Sequence, residues 1–191
     1  MTPGALRIRE AAARLFYERG IHAVGVDLIS AEAGVTKKTL YDRFGSKDQL
    51  VVEYLAERDE RWRDFVTHRI AATEPGAGQR ALAVFDASKA WMEASSPKGC
   101  SMVNAHAEIS DPSHPAHAVI TGQKAWMLGL FTDLVREAVP ESATHLGRSL
   151  MLLHEGALVA HGMKTFPDPI GHARDQARQL IAGAPTAAGK P

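Results

Sequence analysis

Residues 33–50 read AGVTKKTLYDRFGSKDQL, and Lys37, Lys38, Tyr41, Arg43 and Lys47 fall within eleven positions of one another. Two glycines punctuate the stretch, and a helix-starting residue follows each. Thr36 is suited to cap a helix running to Phe44, which Gly45 then stops. Ser46-Lys-Asp-Gln49 has the spacing of a capping box, which opens a further helix. Within 37–44, Leu40 and Phe44 stand four apart on one face. Thr36, Lys37, Lys38, Tyr41 and Asp42 lie across the other.

Just upstream, residues 26–33 read as a second short helix, with Gly25 as a weak cap and Gly34 as its stop. Two short helices joined by Ala33-Gly34-Val35-Thr36 have helix-turn-helix spacing, in which the second helix is free to enter a major groove. The polar face suits that task. Lysines meet phosphates or guanine acceptors, a threonine methyl meets a thymine methyl, and a tyrosine hydroxyl reaches phosphate. Lys47 opens the next helix, where an ammonium opposes the macrodipole. A phosphate bound at that N-terminus would turn the cost into a gain.

The rest of the chain is helical in period and predicts an all-α fold. Residues 5–19 place Leu6, Ile8, Ala12, Leu15 and Phe16 near one face, and Gly20 ends that helix. The helix from Ser46 continues through Leu50, Tyr54, Leu55, Trp62, Phe65 and Ile70 to about residue 72, before TEPGAG (73–78). Further helices are expected near 78–95, 101–109, 114–138, 142–163 and 169–183, separated by segments holding Pro or Gly. No stretch alternates with a period of two. The tail from 184 to 191 is predicted to be disordered.

Charge separates the two ends. The chain holds 22 Lys+Arg and 22 Asp+Glu, but residues 1–50 contain eight basic against six acidic, and 51–191 contain fourteen against sixteen. The net +2 at the N-terminal end has the sign of a nucleic-acid module on an acidic body. Cys100 is the single cysteine, which excludes an intrachain disulfide and points to a reducing cytoplasm. No apolar run is long enough to span a membrane, so no membrane partner is expected.

The pattern Ala12, Leu15, Phe16, Gly20, Ala33-Gly34-Val35, Thr39-Leu40-Tyr41, Phe44, Ser46-Lys47 and Leu50 resembles the tetracycline-repressor (TetR) family of bacterial transcription regulators. The resemblance covers about residues 5–51. It implies a three-helix DNA-binding domain at 1–50, linked by the helix over 46–72 to a helical effector-binding and dimerisation domain at 51–183. By position, Thr36, Lys37, Lys38 and Thr39 would approach bases or backbone, while Tyr41 and Lys47 would hold phosphates. Arg43 stands where the family often has His. Gly25 replaces the usual Ser or Thr cap, Ser30 the usual Ala, and Leu28 a polar residue. The implied partners are a near-palindromic double-stranded operator, a small-molecule effector and a second copy of the chain. The implied activity is regulation, most simply repression relieved by the effector.

The larger half offers candidates of its own. Trp91, Met102, Val103, His106, Trp126, Met127, Leu130, Phe131 and His154 would suit an effector pocket with flexible walls, although each also suits plain core. Small and apolar residues over 142–163, with Leu146, Leu150, Leu153 and Ala157 among them, would suit a dimer interface. Cys100 near a helix start, with Lys98 close in sequence, is a candidate redox or electrophile sensor and equally a small buried hydrophobe. His106 with Glu108 is the one pair an enzyme would use, but no nucleophile elbow, triad order or phosphate-binding loop accompanies it. The nine histidines form no compact ligand set, and Asp111-Pro-Ser-His-Pro115 reads as a helix-entry turn capped by Ser113 or Asp111. Neither metal nor cofactor is expected.

Overall fold

Threonine and proline begin the first helix earlier than the periodicity suggests. In the computed structural model, which describes residues 1–76, 78–95 and 97–185, Thr2 Oγ1 accepts the Ala5 N–H at 3.3 Å. Pro3 fills the first helical position, where its missing N–H costs nothing. This helix, α1 (Pro3–Arg19), turns Ala5, Ile8, Ala12, Leu15 and Phe16 inward. Leu6, expected near that face, points outward and is 40% exposed, because it sits off the 5/8/12/15 row.

The next elements follow from their caps. Helix α2 (Val26–Ala33) begins at Gly25 without a side-chain cap and ends at Gly34, which takes the left-handed conformation (φ +61°). Helix α3 (Lys37–Phe44) starts at Thr36, whose Oγ1 accepts the Thr39 N–H at 3.2 Å. Helix α4 (Lys47–Ala71) shows half of the expected capping box. Ser46 Oγ accepts the Gln49 N–H at 3.0 Å, but the Ser46 N–H donates to Phe44 O at 2.8 Å rather than to the Gln49 side chain. The tight turn at Gly45 brings that carbonyl within reach first.

Helices α5 (Gln79–Ser95), α6 (Ser101–Glu108), α7 (Ala116–Arg136), α8 (Ala143–Met163) and α9 (Pro169–Ala182) complete the chain, with a 3₁₀ turn at Pro140–Ser142. Among the described residues there is no strand. At the entry to α7, Asp111 Oδ1 accepts the Ser113 N–H and hydroxyl. The Ala116 N–H, however, goes to Nδ1 of His114 at 3.1 Å, so an imidazole does the capping expected of Ser113 or Asp111. The predicted disordered tail lies, but for its first two residues, outside the described residues.

Contacts divide the chain into two compact units. One groups residues 1–61 with 101–123, so α6 and the first part of α7 share contacts with the N-terminal helices although a boundary at 50/51 in chain order would separate them. Its core includes Ile8, Leu15, Phe16, Ile29, Leu40, Leu50 and Leu55, with Phe16 and Tyr54 rings 5.7 Å apart. The other unit groups residues 62–100 with the described residues from 124 onward. It is built on Trp62, Leu82, Phe85, Met127, Phe131, Leu150 and Ile170. Each fully enclosed Leu or Phe contributes about 2 kcal/mol of apolar burial, so the two cores are what hold the helices in place.

Candidate nucleic-acid interface

Leu40 and Phe44 are buried and seat α3 on α1 and α2. That fixes which face the helix presents. Thr36, Lys37, Lys38, Thr39, Tyr41, Asp42 and Arg43 are all exposed, Tyr41 by 46%. Thr36 and Thr39 hydroxyls are 3.0 Å apart at the N-terminal end of the helix. All seven candidates of the sequence reading thus lie in one unit, and six of them share the outer surface of α3 and its cap.

Three of the basic side chains have carboxylate partners. Lys37 pairs with Asp27, Lys38 Nζ lies 2.6 Å from Asp42 Oδ2, and Arg43 lies 3.6 Å from Glu53 Oε1. The Arg43 guanidinium also sits 4.9 Å from the centre of the Phe44 ring. These ion pairs are solvent-exposed, and such pairs are worth at most about 1 kcal/mol, so a phosphate can take over the cation at little cost. Asp27 and Glu53 carry no signal in the sequence, since nothing in linear spacing couples Asp27 to Lys37 across a turn.

Lys47 differs from the others. It is half-buried at the start of α4, and burial holds its pKa below the usual lysine range, against the pull of the Asp48 and Glu108 charges. A cation short of solvent at a helix N-terminus gains most when an anion arrives. Behind the interface, Arg7 Nε donates to Ala33 O at 2.9 Å and so satisfies the last carbonyl of α2. Arg14 pairs with Glu32, which ties α1 to α2 a second time.

In the second unit, aromatic side chains gather in two sets. Trp91 meets Trp62 at 5.7 Å and Phe65 at 5.3 Å, and Trp62 Nε1 donates to Met127 Sδ at 3.3 Å. Phe85, Phe131 and His154 form a triangle with centroids 5.5–5.8 Å apart. Arg63 covers Trp126 at 4.5 Å. Of the nine pocket candidates, Met127, Phe131 and His154 are core residues of this unit, Leu130 packs on that core, and Met102, Val103 and His106 belong to the N-terminal unit. A cleft of about 730 Å³, lined by Met92, His161, Lys164 and Phe166 among others, includes none of the nine.

A chain of polar groups runs through the same unit. Lys124 Nζ lies 2.7 Å from Glu155 Oε2 and 3.4 Å from Cys100 Sγ. Burial would raise the Glu155 carboxyl, but His154 at 3.5 Å and the Lys124 ammonium outweigh it and hold the pKa at about 2. Burial keeps His154 neutral, below the usual histidine range. Along α8, Leu146, Leu150 and Ala157 face the unit's own core and Leu153 is half-buried, so this set, expected at a dimer interface, packs within the monomer. The exposed apolar stripe is one residue out of phase: Leu152 (75% exposed), Val159 and Met163, with Gly156 between them.

A short capped helix with a polar outer face, held on two partner helices by Leu40 and Phe44, defines a helix-turn-helix DNA-binding protein. The family model of bacterial regulatory proteins of the tetR family matches residues 8–54. The TetR-family regulator SCO4454 of Streptomyces coelicolor superposes with a TM-score of 0.82 at 32% identity, over 95% of this chain and 93% of that one. The chain belongs to the TetR family of transcriptional regulators. The transcriptional activator FasR of Mycolicibacterium smegmatis is 47% identical over 45 residues, 24% of this chain and 20% of its own. The regulator LmrA of Bacillus subtilis is 36% identical over 78 residues, 40% of this chain and 42% of its own. Both alignments therefore span less than half the length of these relatives. No helix among the described residues is long and apolar enough to cross a membrane.

Proposed function

We propose that the chain is a homodimeric, one-component repressor of the cytoplasm that binds a near-palindromic operator through α3 and leaves it when a small molecule binds the second unit. The observation that carries the DNA contacts is the outer face of α3. Its threonines, lysines and Tyr41 stand exposed on a buried Leu40/Phe44 base, beside a half-buried Lys47. Two recognition helices related by a dimer axis would read half-sites about one helical turn apart. The apolar stripe of α8 at Leu152, Val159 and Met163 supports self-association, because a solvated face has no use for it. If effector and operator favour different arrangements, each weakens the other to the same degree.

An electrophile-responsive version draws on one specific distance, the 3.4 Å between Lys124 Nζ and Cys100 Sγ. Alkylation of that thiol would add bulk beside the Lys124–Glu155 pair. The test of the main reading is a mobility shift on the DNA upstream of its own gene. Wild-type binding should weaken steeply with salt, and Tyr41→Ala and Lys47→Ala should both weaken it. Binding that ignores salt and both substitutions would refute it. Adding iodoacetamide to wild type and to Cys100→Ser separates the two modes of release, since only the thiol-dependent mode disappears in the variant.

A further inference from the structure

Glu108, the last residue of α6, lies outside the reading helix, yet its carboxylate sits at the corner that joins α1 to α2. Oε2 accepts the His22 N–H at 2.8 Å, from 86 positions further along the chain. The approach is close. A Cβ placed on Gly20 would meet that same Oε2 at 2.9 Å, and Gly20 holds φ +90°, which side-chained residues avoid. The same carboxylate acts on Lys47, where its charge favours the ammonium against burial. One acidic side chain thus binds the α1–α2 corner directly and acts on Lys47 through its charge alone, all within one compact unit.

We propose that Glu108 is a positioning residue for DNA binding, which fixes the α1–α2 corner through the His22 amide and places a negative charge beside Lys47 that a DNA phosphate must outweigh. The Lys47 half of this rests on the DNA-binding reading above; the corner half does not. A carboxylate accepting an amide makes a charge-assisted hydrogen bond, stronger than a neutral one. The two effects oppose each other in affinity: the bond orders the head, whereas the charge repels phosphate. They are separable by chemistry. Gln at 108 keeps an oxygen for His22 but drops the charge, and Ala drops both.

The experiment uses a duplex that the full-length wild type selects from a random pool, with anisotropy at about 0.1 M and about 0.3 M salt, where the screening length shrinks. Amide exchange is followed by NMR on the same proteins. Glu60→Gln, an exposed carboxylate elsewhere on α4, is the control for charge. Glu108→Gln should bind about three-fold tighter than this control at the lower salt, with the gain shrinking at the higher, and should leave His22 exchange near wild type. Glu108→Ala should exchange the His22 amide about ten-fold faster and bind roughly ten-fold more weakly than Glu108→Gln, while α3 amides keep their rates. Unchanged His22 exchange in Glu108→Ala overturns the inference. So does faster exchange spread over α1–α3, which marks plain unfolding, or Glu108→Gln binding no tighter than the control. A wild type that selects no duplex refutes the DNA reading and the Lys47 half, and leaves His22 exchange to decide the corner.

Discussion

Nε2 of His154 lies 2.8 Å from Oγ of Ser88, between α8 and α5, with both side chains shielded from solvent. Ser88 also donates its one proton to Val84 O at 2.8 Å, so the imidazole supplies the proton of the Ser88–His154 bond. Nε2 is therefore the protonated nitrogen. Nδ1, on the other side of the ring, lies 3.5 Å from Glu155 Oε1. Although serine, histidine and glutamate come in line, the serine proton points away from the imidazole, so this order is structural rather than nucleophilic.

Ser88→Ala removes the acceptor of a buried N–H. The loss should cost about 1–3 kcal/mol and lower the melting temperature by roughly 2–12 °C for a chain of this size. Thermal unfolding followed by circular dichroism reads this directly. An unchanged midpoint would mean that His154 finds another acceptor.

Acid should destabilise the second unit in two stages. His154 has a folded pKa below its unfolded value, so the unfolded chain takes up the proton first, and stability falls as pH drops below about 6.5. Glu155, held at about 2, adds a second loss between about pH 4.5 and 2, of order 3 kcal/mol when fully expressed. Lys124 has the opposite sense. Burial alone would lower its pKa, but the Cys100 and Glu155 charges raise it, so its contribution lasts below pH 10.5 and fades above. Glu155→Gln should flatten the acid limb below pH 4.5 in urea titrations. A limb of unchanged slope would move the acid sensitivity to other carboxylates.

Salt dependence should distinguish the cations of the head. Lys47→Ala should reduce the slope of log K against log salt by close to one, as expected for a full phosphate contact. Lys38→Ala should reduce it by less, because Asp42 already neutralises that ammonium in the free protein. Equal reductions would show that the Lys38–Asp42 pair does not persist in solution.

Neighbouring leucines of α8 should behave differently. Leu152→Glu should dissociate a dimer in sedimentation experiments while leaving helicity intact, since Leu152 is 75% exposed. Leu150→Ala should cost about 2–5 kcal/mol of stability without directly altering association, since Leu150 is fully buried. A dimer that survives Leu152→Glu would place the interface on another face.

The parts that could be read from sequence were those set by residues within one turn of each other. Thr36 capping Thr39, and Leu40 with Phe44 as one face, are local, so spacing alone specifies them. Phase was harder where a helix is apolar on most sides. On α8, leucines at 146, 150, 152 and 153 leave no polar stripe to say which row faces inward, and the row chosen for the interface was the core row. Long-range partners carried no signal at all. Glu108 meets His22 across 86 positions and Arg7 meets Ala33 across 26, and neither pairing has a spacing rule. The Gln49 half of the capping box failed because the Gly45 turn offered the Ser46 N–H a nearer carbonyl.

The pairs Lys37–Asp27, Lys38–Asp42 and Arg43–Glu53 give the head its own tethered counterions. A phosphate that takes Lys37, Lys38 or Arg43 would displace a tethered carboxylate rather than a freely diffusing salt ion, at a cost of at most about 1 kcal/mol for each. Where base edges contribute nothing, those small costs subtract from the backbone contacts; where the edges match, base contacts outweigh them. The carboxylates would thus widen the gap between arbitrary and matching DNA.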